Sequence, residues 1–116
     1  MSWRVLFRAV FWLAALAVAV LALSPGEYLP PQALNWWDKA QHALAFVVLA
    51  LLGLPAYPRD FGKLAAGLLA FGGLIELAQS ATGWRFGDWA DWLADCLGVA
   101  VVMAPAWWWH RLHRSR

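Results

Sequence analysis

The chain has 116 residues, 63% of them hydrophobic and only 14% charged, with ten tryptophans, one cysteine and a formal net charge of +2. A soluble domain of that length cannot bury so much apolar side chain, so the composition places the chain among membrane proteins as a single domain over residues 1–116. The small positive charge argues against a nucleic-acid partner, and the lone Cys96 excludes an intramolecular disulfide and argues against a zinc site built on thiolates.

Arg4 and Arg8 precede or open an apolar run from Val5 to Leu23. At 1.5 Å per residue this run spans ~28 Å as a helix, about one hydrocarbon core. A cleaved signal peptide is the competing interpretation, with Ala22-Leu23-Ser24 as its cleavage site. The run exceeds the usual signal core and Pro25 would follow the cut, so a retained first transmembrane helix, about 5–23, is expected. Pro25, Gly26, Pro30 and Pro31 then break helical pairing.

The second helix is predicted at about 36–54. Its first turns carry Asp38, Lys39, Gln41 and His42, and a wholly apolar stretch runs from Ala43 to Leu54. That stretch covers only ~18 Å, so the polar turns must enter the membrane's depth, where they have to face other helices or water. After a turn at Pro55 to Asp60, the third helix is predicted at about 64–80. Its small residues (Ala65, Ala66, Gly67, Ala70, Gly72, Gly73) would let backbones approach closely. The fourth helix, about 88–109, repeats Cys96, Ala100 and Ala104 at four-residue intervals, a second small-residue packing face. The expected fold is an all-α, integral membrane four-helix bundle.

Orientation follows from the cations. Arg4, Arg8, Arg59, Lys63, Arg111, Arg114 and Arg116 fall on one side, and Lys39 and Arg85 on the other. The positive-inside rule then expects both termini in the cytoplasm, in a multi-pass protein of the cytoplasmic (inner) membrane. Trp3, Tyr57 and Trp107 to Trp109 would form the inner aromatic belt, and Tyr28, Trp36, Trp37, Trp84, Trp89 and Trp92 the outer one.

This topology brings three polar stripes to one layer. Asp38 and Lys39 stand four and three residues before His42, Glu76 stands three before Gln79, and Asp88, Asp91 and Asp95 step by three and four. Each set shares one helix face. Together with Arg85 they are expected to build a polar, ligand-binding pocket near the outer face, with Arg85 neutralising Asp91 or holding an anion. Five acids against Lys39 and Arg85 cannot all be buried ionised, so some must be protonated, some must meet water, or a cation must enter. Glu76, flanked by Leu74, Ile75 and Leu77, is the acid most in need of a reason. Capping is the plainer role for Asp38 and Asp88, and pairing with Glu76 the plainer role for Gln79. No His-x-Glu or Glu-x-x-His spacing specifies a divalent ion, and no metal or cofactor is expected.

Asp38-Lys39-x-x-His42, Glu76-x-x-Gln79, and Arg85 and Asp91 ahead of Asp95-x-x-Gly98 together resemble the VanZ-like membrane proteins, in order and in gaps, from about Trp36 to Gly98. The resemblance implies a compact bundle of about four helices and a link to low-level teicoplanin resistance. One departure is Asp95, where the family often has asparagine. Three functions are open at this level. The first is a non-catalytic pocket binding membrane lipid headgroups or a lipid-linked cell-wall precursor. The second is a membrane-embedded enzyme with Glu76 or His42 as acid–base and Arg85 as anion holder. The third is a proton-linked permeation component, which would need to oligomerise or find a membrane-protein partner.

Overall fold

A computed structural model describes residues 2–25 and 38–114, and of Asp38 the backbone only. The described chain is four α-helices: α1 (Trp3–Leu23), α2 (Asp38–Ala56), α3 (Phe61–Thr82) and α4 (Trp89–His113). All four are long and apolar enough to cross a membrane, which makes this a multi-pass membrane protein. Tyr28, Trp36 and Trp37 lie outside the described residues.

The helix ends follow local chemistry. Ser2 caps α1 by accepting the Val5 N–H at 3.3 Å. Asp88 caps α4 by accepting the Ala90 N–H at 2.9 Å. α3 stops at Gly83, whose φ of 83° is left-handed and costs glycine little. The turn expected from Pro55 starts later, because α2 runs on through Pro55 to Ala56.

Side-chain contacts fix an up-and-down arrangement. Arg8 Nε donates to the Ala56 carbonyl at 2.9 Å and Trp12 Nε1 to the Tyr57 hydroxyl at 2.8 Å, so α1 begins where α2 ends. The rings of Phe61 and His110 meet edge to face at 6.4 Å, which places the start of α3 beside the end of α4. The ends of α1 and α3 therefore share one end of the bundle with the starts of α2 and α4. α2 is central: it packs most extensively on α4, and also on α1 and α3.

The usual distribution of a soluble protein is inverted. Leu13, Leu16, Leu74, Leu77, Leu93, Leu97 and Val101 point outward, while Glu76, Gln79, Asp91 and Asp95 are buried. Such an arrangement is stable only where the solvent is apolar, because lipid takes the outward leucines at no cost and the inward polar groups must satisfy one another. A conventional apolar core of Phe11, Phe46, Leu49, Ala50, Leu64, Leu68, Val99 and Met103 fills the rest of the interior.

Two of the expected small-residue faces are placed differently. Ala100 and Ala104 are exposed, and α4 instead packs through Asp91, Asp95, Gly98, Val99 and Met103. On α3, Ala66, Gly67 and Ala70 are also exposed, and the buried glycine is Gly72. Lipid accepts small side chains as readily as large ones, so a small residue marks a helix contact only where another backbone comes close. Gly98 is such a position: a Cβ there would run into the Ala43 backbone carbonyl of α2.

Candidate functional site

The Gly98–Ala43 crossing decides what meets at the polar end. It sets the faces of α2 and α4 in contact one residue beyond His42 and three beyond Asp95. His42 Nδ1 lies 3.0 Å from Asp95 Oδ1, and His42 Nε2 lies 3.6 Å from Asp91 Oδ2. One imidazole thus bridges two acids that are one helical turn apart on α4. Gly72 of α3 faces the Asp95 carboxylate and Phe46, closing this layer from the third side.

Glu76 enters from α3. Its Oε2 accepts the Asp88 backbone N–H at 2.7 Å, and its Oε1 lies 3.8 Å from His42 Nδ1. The Asp88 contact puts a carboxylate at the N-terminal end of α4, where the helix dipole favours an anion. It requires the loop to lie directly on α3, and Gly87 permits this because a Cβ there would meet Ser80 Oγ and the Glu76 carbonyl. Thr82 orders the same loop, its hydroxyl accepting the N–H groups of Trp84 at 3.3 Å and Arg85 at 3.2 Å.

Lys39 closes the mouth. Its ammonium is 3.4 Å from Asp91 Oδ1 and 3.5 Å from Asp88 Oδ2. Side-chain exposure falls steadily inward, from 51% at Asp88 and 37% at Lys39 to 16% at His42, 11% at Asp91, 2% at Glu76 and 0% at Asp95. Asp88 to Asp95 is about two turns of helix, roughly 10 Å, so the groups form a polar cluster descending from the bundle end into the interior. At its floor, Glu76 Oε1 and Asp95 Oδ2 are buried with no hydrogen-bond partner among the described residues. An unsatisfied buried carboxylate oxygen is costly, and these two mark where a further donor or cation would be most welcome.

Of the expected site residues, Lys39, His42, Glu76, Asp88, Asp91 and Asp95 come together, and the side chain of Asp38 lies outside the described residues. Gln79 and Arg85 do not join them. Gln79 Nε2 donates to the Ala22 carbonyl at 2.9 Å, Trp84 Nε1 to the Leu23 carbonyl at 2.8 Å, and Arg85 to the Ser24 carbonyl at 3.3 Å. These are the last carbonyls of α1, which have no partner within their own helix. The expected pairing of Arg85 with Asp91 is replaced by Lys39 with Asp91, and that of Gln79 with Glu76 by a cap on α1. Both changes have one cause: a helix end in an apolar medium needs donors, and α3 and its following loop supply three. Among the described residues no ion pair joins Arg85 to an acid.

Trp92 also differs from its expected place in the outer belt. Its indole N–H donates to the Leu69 carbonyl at 2.9 Å, so the ring is turned along α3. Trp84 and Trp89 are exposed at the polar end, as interfacial residues would be.

One grouping has no trace in helical spacing. His42, Glu76 and Asp91 each offer a ligand atom, and these atoms lie within 4.8 Å of one another. They come from three helices, so no motif along a single helix could reveal them; the available hint is the equal depth at which the topology places them. Comparisons of this chain with protein-family models, with curated proteins and with solved structures find no match, so the chemistry of the cluster rests on its own atoms.

Proposed function

We propose that this protein is a VanZ-like membrane protein that binds the polar headgroup of an envelope lipid, or a lipid-linked cell-wall precursor, at the polar cluster of its bundle end. The observation that carries this is the inward gradient from exposed Asp88 and Lys39 to the buried, unpaired carboxylate oxygens of Glu76 and Asp95. A polar cluster that meets water at the bundle end and ends on acceptors without a hydrogen-bond partner suits a ligand presented from the membrane interface that carries donors, such as sugar hydroxyls or an ammonium group. Likeness to the VanZ-like family supports the same view through Asp38-Lys39-x-x-His42, Glu76-x-x-Gln79 and Asp95-x-x-Gly98, and connects it to teicoplanin tolerance.

The polar end faces the outside of the cytoplasmic membrane in this proposal, with both termini inside, because the cations gather at the opposite end. A Cys96→Ala background carrying Phe86→Cys or Arg59→Cys tests this. Phe86 is 93% exposed in the polar-end loop. Membrane-impermeant maleimide added to intact cells should label the Phe86 position and not the Arg59 position; the reverse pattern inverts the orientation.

Binding is tested by native mass spectrometry on protein extracted with little delipidation. Wild type should retain a specific lipid or lipid-linked sugar that a Lys39→Ala, Glu76→Gln variant loses. Retention of the same mixed phospholipids by both would count against a built pocket. Enzymatic action through Glu76 and His42 is the alternative. It is disfavoured because Arg85, its anion holder, caps α1 instead of facing the His42 cluster.

A further inference from the structure

We infer that His42, Glu76 and Asp91 bind one divalent first-row transition ion of the zinc or manganese class, with Asp95 as the outer carboxylate that orients His42. This goes beyond headgroup binding and does not depend on it, since all the ligands belong to this chain.

The donor set is one imidazole and two carboxylates from three helices, with one ligand atom of each within 4.8 Å of the others. Around an ion with bonds of about 2.0–2.1 Å, tetrahedral ligands stand roughly 3.4 Å apart. Small side-chain rotations therefore close the set without moving a helix. A second observation concerns one of these ligands. Glu76 is 2% exposed, and its Oε1, 3.8 Å from His42 Nδ1, has no hydrogen-bond partner among the described residues. A buried carboxylate oxygen left in that state is strongly disfavoured unless something positive occupies the space it faces.

The surrounding contacts fit the same assignment. Asp95 Oδ1 sits 3.0 Å from His42 Nδ1, the position from which an outer carboxylate takes the N–H of a ligating imidazole and fixes its tautomer. That leaves Nε2 as the ligand atom; Nε2 faces Asp91 Oδ2 at 3.6 Å, and Glu76 Oε1, which stands 3.8 Å from Nδ1, turns along the ring edge to reach the same ion. Lys39 holds the other oxygen of Asp91, Oδ1, at 3.4 Å, so the two carboxylate oxygens are divided between the ammonium and the ion. The buried charge is offset as well: a divalent ion with Lys39 opposes the three buried carboxylates of Glu76, Asp91 and Asp95, His42 being neutral as a ligand, while Asp88, which shares Lys39, is half exposed and meets water. Imidazole with carboxylates favours zinc, manganese or iron over magnesium, which prefers oxygen and retains water.

The test uses untagged full-length protein in detergent, stripped with a chelator and titrated calorimetrically with Zn2+ alone and with Mn2+ alone. One ion per chain is expected. His42→Ala and Glu76→Gln should each weaken binding at least tenfold, while Arg85→Ala, outside the cluster, should leave it unchanged. Should a variant fail to fold, pulsed electron paramagnetic resonance on Mn2+-loaded wild type decides the matter, because it should show hyperfine coupling to an imidazole nitrogen. Absence of stoichiometric binding by folded wild type, undiminished binding in both ligand variants, or a bound Mn2+ with no nitrogen coupling would each overturn the assignment.

Discussion

The two ends of the bundle handle charge in opposite ways. At the polar end, charged and polar groups from α2, α3 and α4 turn inward and satisfy one another across helices, as in Lys39 with Asp88 and Asp91, and His42 with Asp91 and Asp95. At the basic end, cations stay on the rim and lie over aromatic faces: Arg4 over Trp3 at 5.5 Å, Arg8 over Tyr57 at 4.7 Å and Arg111 over Trp107 at 5.1 Å. A groove there is lined by Arg59, His110, Arg111, His113 and Arg114, with Phe61 and Trp107. Long side chains can reach water from the rim, although Arg8 also donates to the Ala56 carbonyl. Buried acids cannot reach water, so their partners must be built. The basic end therefore keeps its charge at the surface, and the polar end buries its charge and pairs it.

That contrast breaks most sharply at His42. In metal-free protein, His42→Ala removes the bridge between Asp91 and Asp95 and should cost about 3 kcal/mol, since a buried charge cluster loses its central partner. Thermal unfolding in detergent would measure it, and an unchanged midpoint would mean that the acids are satisfied elsewhere. Gly98→Val should cost roughly 1–3 kcal/mol by forcing α4 off the Ala43 carbonyl. It should also weaken metal and headgroup binding together, because the same crossing places His42 beside Asp95. Glu76→Gln keeps the shape and an acceptor for the Asp88 N–H, so a loss of only about 1 kcal/mol is expected, with the main effect on binding.

The basic end gives the smallest effects. Arg111→Ala should change stability by no more than about 0.5 kcal/mol, as for exposed surface positions generally. Its trace should instead be weaker retention of anionic phospholipid in native mass spectra. A destabilisation comparable to that of His42→Ala would remove the distinction between the two ends.

Much of this was legible in the residues alone. The helices expected at 5–23, 36–54, 64–80 and 88–109 correspond to α1–α4; the expected start at 36 lies outside the described residues, and other ends differ by a few residues where a cap such as Ser2, Asp88 or Gly83 sets the boundary. Asp88 caps α4, the plainer role expected of it, and its side chain also lies 3.5 Å from the Lys39 ammonium. Gln79 and Arg85 were legible as polar groups at the right depth, but their partners were not. The need they meet belongs to the carbonyl end of α1, more than fifty residues away in sequence.

What the sequence determined by itself is the set of apolar spans, the face on which each polar residue lies and the depth at which it sits, because helical rise and periodicity are local properties of the chain. Only the tertiary structure decided which stripe meets which. That choice depends on how the helices are rotated against one another, set by backbone contacts such as Gly98 on Ala43 and Gly87 on α3. The physical reason is that an apolar medium gives no preference to one lipid-compatible packing over another. Partner choice falls instead to the few positions where backbones touch and to the buried carboxylates, which are stable in very few arrangements.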